Sequence, residues 1–356
     1  MSAAAASTGE SFLGRLSEVC ADRGADVLAM RLAGLRDYLA EDLDAVERAL
    51  ASIDRAPPPT GSAIAHTFGV AGKRLRPLCV ALAARVGSGL SGNAYELAVA
   101  VELVHNATLL HDDVVDLGDR RRGLPTARLV YGNAASIFAG DWLLTDALER
   151  IAAVSIEGLL PRMLRVLKQM LDAESIQLAA RGATGGASTP MTMADYFRIV
   201  EGKTASLFGW ALYAGGRAGG CEPAVCSALE AYGHAMGVAF QLVDDVLDMS
   251  ADEAELGKAL LTDVREGMLT HPVLVALERV PRLGALLAEA RAVESLSPEL
   301  GSTIARAVRD SGALSTSLAA ASDFSARAIA CLDDVPDGVS KAALAALAAG
   351  AVHRTR

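Results

Sequence analysis

Apolar residues recur at helical spacing along most of the chain. Between Met30 and Ile53, Leu32, Leu35, Leu39, Leu43, Val46 and Leu50 fall every three or four positions on one narrow stripe, and Pro57-Pro58-Pro59 ends the run. The rest of that segment is charged, so the spacing predicts one helix packed on the outside of the fold. Further apolar runs predict helices at Leu78 to Val86, Glu102 to Asp116, Ser136 to Val154, Leu159 to Ala180, Met193 to Leu212 and Ala224 to Met249. Gly202, inside Glu201-Gly202-Lys203-Thr204, predicts a break or kink in its helix. From Thr270 onward the pattern reads as four or five amphipathic helices without ionic clustering, a scaffold. Alternation of β-branched residues is scarce, and the fold class expected is all-α.

Composition agrees and narrows the possibilities. Of 356 residues 52% are hydrophobic but only 4% aromatic, an alanine- and leucine-rich inventory suited to helices. Residues 1–10, rich in Ala, Ser and Thr without periodicity, are expected to be disordered, with residues 11–356 forming a single helical domain. A formal charge of −10 argues against a nucleic-acid surface. No uncharged stretch reaches the roughly 20 residues that cross a bilayer; those between Lys203 and Arg217 and between Glu230 and Asp244 are thirteen residues each. Met1 to Ser7 has neither the basic region nor the apolar core of a secretory signal. Five cysteines, odd in number and scattered among apolar neighbours, read as reduced thiols of a cytoplasmic protein.

Chemistry concentrates in two acidic clusters that lie 132 residues apart, His111-Asp112-Asp113-Val114-Val115-Asp116 and Phe240-Gln241-Leu242-Val243-Asp244-Asp245-Val246-Leu247-Asp248. Helical spacing stacks Asp112 on Asp116 and Asp244 on Asp248, so like charges adjoin in apolar surroundings and require a cation. Donor sets made only of oxygen select Mg²⁺ or Mn²⁺ over zinc, and no Cys/His ligand spacing accompanies them. Because Mg²⁺ usually takes one or two protein carboxylates and completes its shell with water and phosphate, the pair of clusters reads as a clamp for a metal-bound diphosphate. One such cluster alone would more often be a solvated helix face or an N-cap. Two copies, each at the tail of an apolar helix, argue against that.

Three cations surround the start of one helix in Gly72-Lys73-Arg74-Leu75-Arg76-Pro77, where orphan N–H groups and the helix dipole favour an anion. His105, seven residues before Asp112, lies on nearly the same helix face. After Asp116, Leu117-Gly118-Asp119-Arg120-Arg121-Arg122-Gly123 reads as a loop carrying guanidinium groups suited to phosphate. Lys203 and Thr204 sit beside the kink at Gly202. Gly257-Lys258 and Asp263 to Gly267 add charge in a glycine-punctuated segment that reads as a lid.

These motifs resemble those of the trans-type polyprenyl diphosphate synthases, prenyltransferases that elongate isoprenoid diphosphates. Asp112 to Asp116 with Arg121-Arg122-Gly123 is similar to the first aspartate-rich motif, and Phe240 to Asp248 to the second. Gly72 to Pro77, Gly132-Asn133, Gly140-Asp141, Lys203-Thr204 and Gly257-Lys258 follow in the family's order, so the resemblance spans about residues 30 to 350. It implies a helical isoprenoid-synthase bundle around a deep central cavity, a homodimer, and three Mg²⁺ ions, with Mn²⁺ able to substitute. Asp112 and Asp116 would hold two ions and Asp244 a third, supported by Asp113, Asp245 and Asp248. The allylic diphosphate would fall to Arg121, Lys203, Thr204, Gln241 and Lys258, and isopentenyl diphosphate to Lys73, Arg76, His105 and Arg122.

Within that family, product length depends on what lies beneath the first aspartates, here Thr108, Ala107 and Val104. No bulky aromatic stands near Ala107 and no insertion interrupts the motif, so Asn106 to His111 looks most like the long-chain, octaprenyl-like synthases. Two departures stand out: Leu261 and Met268 occupy positions where the family has glycine and lysine. The alternatives are a short-chain farnesyl or geranylgeranyl diphosphate synthase, a terpene cyclase, and a non-catalytic modulatory subunit. The intact second motif argues against the last two.

Overall fold

The computed structural model describes residues 12–53, 56–69, 72–121, 123–180, 191–249, 268–292 and 298–353. Strand among them is confined to an antiparallel hairpin, β1 Arg120–Arg121 with β2 Leu124–Pro125; the rest is helix and short connections. The residues gather into two compact units. One comprises the chain to Arg162 with Ala211–Glu230 and Asp334–Ala346, the other Met163–Trp210, Ala231–Asp333 and Leu347 onward.

In the first unit the chain order is α1 Phe12–Asp22, α2 Asp26–Tyr38, α3 Ala40–Ala51, α4 Thr60–Phe68, α5 Leu75–Ala84, α6 Gly92–Val115, the hairpin, α7 Ala127–Tyr131 and α8 Asn133–Ala153. The single helix expected from Met30 to Ile53 is two, broken at Leu39. Leu39 leaves helical geometry (φ −109°, ψ 4°) while its side chain stays wholly buried, so the apolar stripe continues across the break. Helix α6 begins at Gly92, ahead of the expected Glu102, because the Ser91 hydroxyl accepts from the Ala94 N–H and caps it. Its middle is buried on every side, with Val99, Ala100, Val101, Leu103 and Val104 at 0% exposure, as befits a helix apolar all round.

Two contacts fix α6. Arg74, in left-handed backbone (φ 49°) ahead of α5, places Nη1 2.8 Å from Glu102 Oε1 and Nε 2.5 Å from Glu47 Oε1. Glu102 is 3% exposed, and an unpaired charge there would cost on the order of 3–5 kcal/mol. The ion pair therefore holds Arg74 against its backbone strain and makes the middle cation of the basic patch structural. At the other end, His111 lies on α8: a Cβ added at Gly140 would stand 2.4 Å from its Nε2. That nitrogen is 3.2 Å from both Ile137 O and Asp141 Oδ1, and Ser136 Oγ donates to Leu110 O at 2.9 Å.

The second unit holds α10 Met193–Val200, a π-helical turn Glu201–Ala205, and the helices α13 His271–Arg279, α14 Leu283–Ala292, α15 Pro298–Asp310 and α16 Ala313–Ala330. Between the turn and α13 run α11 Ser206–Ala218 and α12 Pro223–Asp248; α9 Leu159–Ala180 precedes α10, and α17 Val339–Ala351 closes the described chain. Among the described residues five helices follow Thr270, within the four or five expected. The core of the second unit includes Leu242, Val243, Val273, Leu283, Ile304 and Val308. Thr192 and Asp195 form a reciprocal capping box that starts α10.

Gly140→Ala should lower stability to denaturant by about 1–3 kcal/mol, the usual cost of overpacking. In a His111→Ala background the same substitution should cost much less, and equal losses in both backgrounds would show that the ring contact is irrelevant.

Candidate active site

The first acidic motif closes α6. The Asp116 N–H donates to Asp112 O at 2.8 Å, so the two outer aspartates stack one turn apart as expected, and both are partly exposed. The helix then stops in a paired hydrogen-bond pattern, Leu117 N–H to Val114 O at 3.4 Å and Gly118 N–H to Asp113 O at 2.9 Å. Leu117 takes the left-handed position (φ 52°) that usually falls to glycine. Asp113 is 7% exposed, and Arg121 from β1 meets its Oδ1 with Nη2 at 2.8 Å and Nε at 3.1 Å. The guanidinium expected over a phosphate thus holds the motif's inner aspartate. Thr126 Oγ1 and Arg128 Nη1 both donate to Gly118 O, at 2.7 and 3.3 Å, and tie the loop down.

The second motif ends α12, and the π turn lies within the same unit. The break expected at Gly202 is this turn: a Cβ at Gly202 would stand 2.7 Å from Gln169 O on α9, so only glycine permits the approach. Lys203 from the turn pairs with Glu174 and donates to Gln177 Oε1 at 3.1 Å. Thr204 Oγ1 donates to Gln241 Oε1 at 3.1 Å, and Gln241 Nε2 donates to Asp245 Oδ1 at 3.0 Å. Asp245 Oδ2 accepts from the Tyr196 hydroxyl at 2.6 Å and from the His271 N–H, the first donor of α13, at 3.3 Å. Burial pushes the Asp245 carboxyl up to about 6, while its three hydrogen bonds pull the other way. Burial lowers His271, whose Nδ1 is 2.8 Å from Ser317 Oγ; that hydroxyl donates to Ala313 O, so Nδ1 carries the proton.

Sequence reasoning thus named Thr204, Gln241 and Asp245, which the structure joins, and missed Tyr196, His271, Glu174 and Gln177. Tyr196 and His271 carried a faint signal, one a tyrosine on the helix leading to Gly202 and the other the first residue of a helix opened by Pro272. Lys73, Arg76 and His105 are partly exposed, and Lys73 Nζ lies 5.7 Å from the Phe12 ring centroid. Asp244 is partly exposed and Asp248 exposed. Val104 and Ala107 are buried in the first unit, and Thr108 is partly exposed. Arg122, Lys258, Leu261, the lid at Asp263 to Gly267 and residues 1–10 lie outside the described residues. Met268 is described and partly exposed.

The donor chemistry fits a hard divalent cation. Each motif offers two outer carboxylates one turn apart, while the inner one is engaged by protein donors. Among the described residues no three acidic, histidine or cysteine side chains converge on one point, and Mg²⁺ in any case takes only one or two protein carboxylates where phosphate is present.

Comparison with known proteins agrees. The octaprenyl diphosphate synthase of Escherichia coli K12 is 36% identical over 287 residues, covering 80% of this chain and 87% of that protein. The geranylgeranyl diphosphate synthase of Methanosarcina mazei is 40% identical over 221 residues, 60% of this chain and 65% of that one. Among solved structures, a polyprenyl synthase of Caulobacter crescentus CB15, complexed with calcium and isoprenyl diphosphate, superposes with a TM-score of 0.82 at 34% identity, covering 90% of this chain and 97% of that one. Residues 58–297 match the sequence profile of the polyprenyl synthetases, and the chain belongs to that family.

Proposed function

We propose that this protein condenses isopentenyl diphosphate with an allylic diphosphate, giving a longer all-trans polyprenyl diphosphate of the long-chain class. The observation that carries the reading is the hydrogen-bonded chain from Thr204 through Gln241 to Asp245, which ties a polar turn to the second acidic motif. Asp112 and Asp116 would hold two Mg²⁺ ions and Asp244 a third, with Asp248 beside it and Mn²⁺ able to replace them. When bound, the metal neutralises the leaving diphosphate so that the allylic C–O bond can ionise.

The chain's own residues do the rest. Lys203, Thr204 and Gln241, with Lys258 and Arg121, hold the allylic diphosphate; for Lys203 this means leaving Glu174, and for the Thr204 hydroxyl leaving the Gln241 oxygen, for a more highly charged partner. Lys73, Arg76, His105 and Arg122 hold isopentenyl diphosphate. Apolar walls keep water from the allylic cation until the isopentenyl double bond attacks it, and the proton lost goes to the departed diphosphate. Asp113 and Asp245 act by holding their motifs. Met268, standing where the family has lysine, lowers the positive charge available to the allylic diphosphate.

Residues 11–356 serve as one catalytic domain, in the cytoplasm. Among the described residues no helix is long and apolar enough to cross a membrane. The working form is a homodimer. Leu164, Leu171 and Leu178 on α9 are 51%, 67% and 39% exposed, and their seven-residue spacing makes one apolar stripe suited to a second copy. A geranylgeranyl end point is the second reading, favoured by the 40% identity to the Methanosarcina mazei enzyme.

Incubation of the purified protein with isopentenyl diphosphate, Mg²⁺ and each allylic primer should give products beyond geranylgeranyl length after dephosphorylation. EDTA should abolish them. A farnesyl or geranylgeranyl end point refutes the long-chain assignment, and absence of any condensation refutes the activity. Ala107→Phe should shorten the product; unaltered length would show that the growing tail does not pass this position. By sedimentation the protein should run as a dimer and Leu171→Glu as a monomer, whereas a monomeric parent protein removes the dimer proposal.

A further inference from the structure

We infer that Tyr196 is a positioning residue for metal binding at the second acidic motif. This rests on the function proposed above and assigns a role to a side chain outside both motifs. Asp245 is 5% exposed, and its two oxygens receive three donors from three separate elements: Tyr196 Oη of α10 at 2.6 Å, the His271 N–H that opens α13 at 3.3 Å, and Gln241 Nε2 of α12 itself at 3.0 Å. With those bonds made, Asp245 is an anchor for the end of α12.

What the anchor fixes is the rotation of α12 about its own axis. Asp244 and Asp248, one turn apart on that helix, are set in direction only if their buried neighbour is set. The same anchor orients the Gln241 amide. Its nitrogen is drawn to Asp245, so its oxygen is presented to the Thr204 hydroxyl at 3.1 Å. The shortest of the three bonds to Asp245 comes from Tyr196, and it is the one a side-chain change can remove cleanly. The tyrosine ring itself is braced edge-on by Phe197 and His271, with centroids 5.3 and 5.5 Å away. Tyr196→Phe therefore deletes the hydroxyl and leaves that packing in place. His271 is in turn held through Nδ1 by Ser317 of α16, so Ser317→Ala loosens the same anchor one step further out.

The test is Mn²⁺ binding to the full-length protein, followed by electron paramagnetic resonance in the presence of inorganic pyrophosphate, alongside steady-state kinetics. A hydrogen bond to a charged group is worth enough that Tyr196→Phe should weaken part of the bound Mn²⁺ about tenfold or more. It should raise half-activating Mg²⁺ and the allylic KM by a similar factor, and leave the isopentenyl KM within twofold. Ser317→Ala should shift the same quantities in the same direction by less. A Mn²⁺ isotherm and Mg²⁺ activation within twofold of the parent overturn the inference, and so does a loss of thermal stability or kcat unaccompanied by those shifts. If the parent protein binds no Mn²⁺ with pyrophosphate, the function proposed above falls and this inference with it; an unmoved isotherm in an active enzyme sinks this inference alone.

Discussion

A carboxylate taken out of water must find donors already in place, and each acidic motif carries one such group at its second position. Asp113 and Asp245 are 7% and 5% exposed, and their side chains are met in different ways. A guanidinium from the neighbouring hairpin answers Asp113, while a phenol, an amide and a helix-opening N–H answer Asp245. The first solution supplies a full opposing charge. The second supplies only neutral donors, and burial outweighs them to raise the Asp245 carboxyl to about 6. In both cases the buried member fixes the helix end on which its partly or fully exposed neighbours stand.

Close backbone approach supports this arrangement wherever a polar residue must be delivered. Gly202 lets the π turn lie against Gln169 O, and Gly237 lets α12 come so near Ala205 that a Cβ would stand 2.6 Å from its Cα. Gly140 does the same for His111. These positions have no room for a side chain, so the helices are set by contact with a main chain at Gly202 and Gly237 and with a packed ring at Gly140, which yields less than contact between flexible side chains.

Much of this was legible in the residues, and the part that was not has a physical reason. The two motifs, the basic patch and the break at Gly202 are local patterns whose chemistry is carried by neighbours in sequence. The sequence also marked Arg121 as a loop cation, but its partner, Asp113, was grouped with the metal ligands because burial is not visible in spacing alone. Tyr196 and His271 escaped notice for a related cause: each acts on Asp245 from a distant point of the chain, 49 and 26 residues away. Arg74 is the opposite case. It stands among the basic residues of an apparent anion pocket, yet a buried glutamate has claimed it. The break at Leu39 was not legible because one apolar stripe fits both a single helix and two.

The π-helical turn at Glu201–Ala205 has a consequence for how the sequence around it can change. A turn bonded five residues apart holds one residue more than its α-helical equivalent, so it acts as an insertion inside otherwise continuous helix. Deleting a single residue there would let the turn close as ordinary α-helix with the following positions near their present faces, whereas inserting one would advance them by about 100° around the axis. Phe208, Gly209 and Leu212 would all exchange their neighbours, among them the His234 ring that lies where a Cβ on Gly209 would go. The segment is therefore intolerant of a further inserted residue, although point substitutions at exposed Glu201 leave its phase untouched.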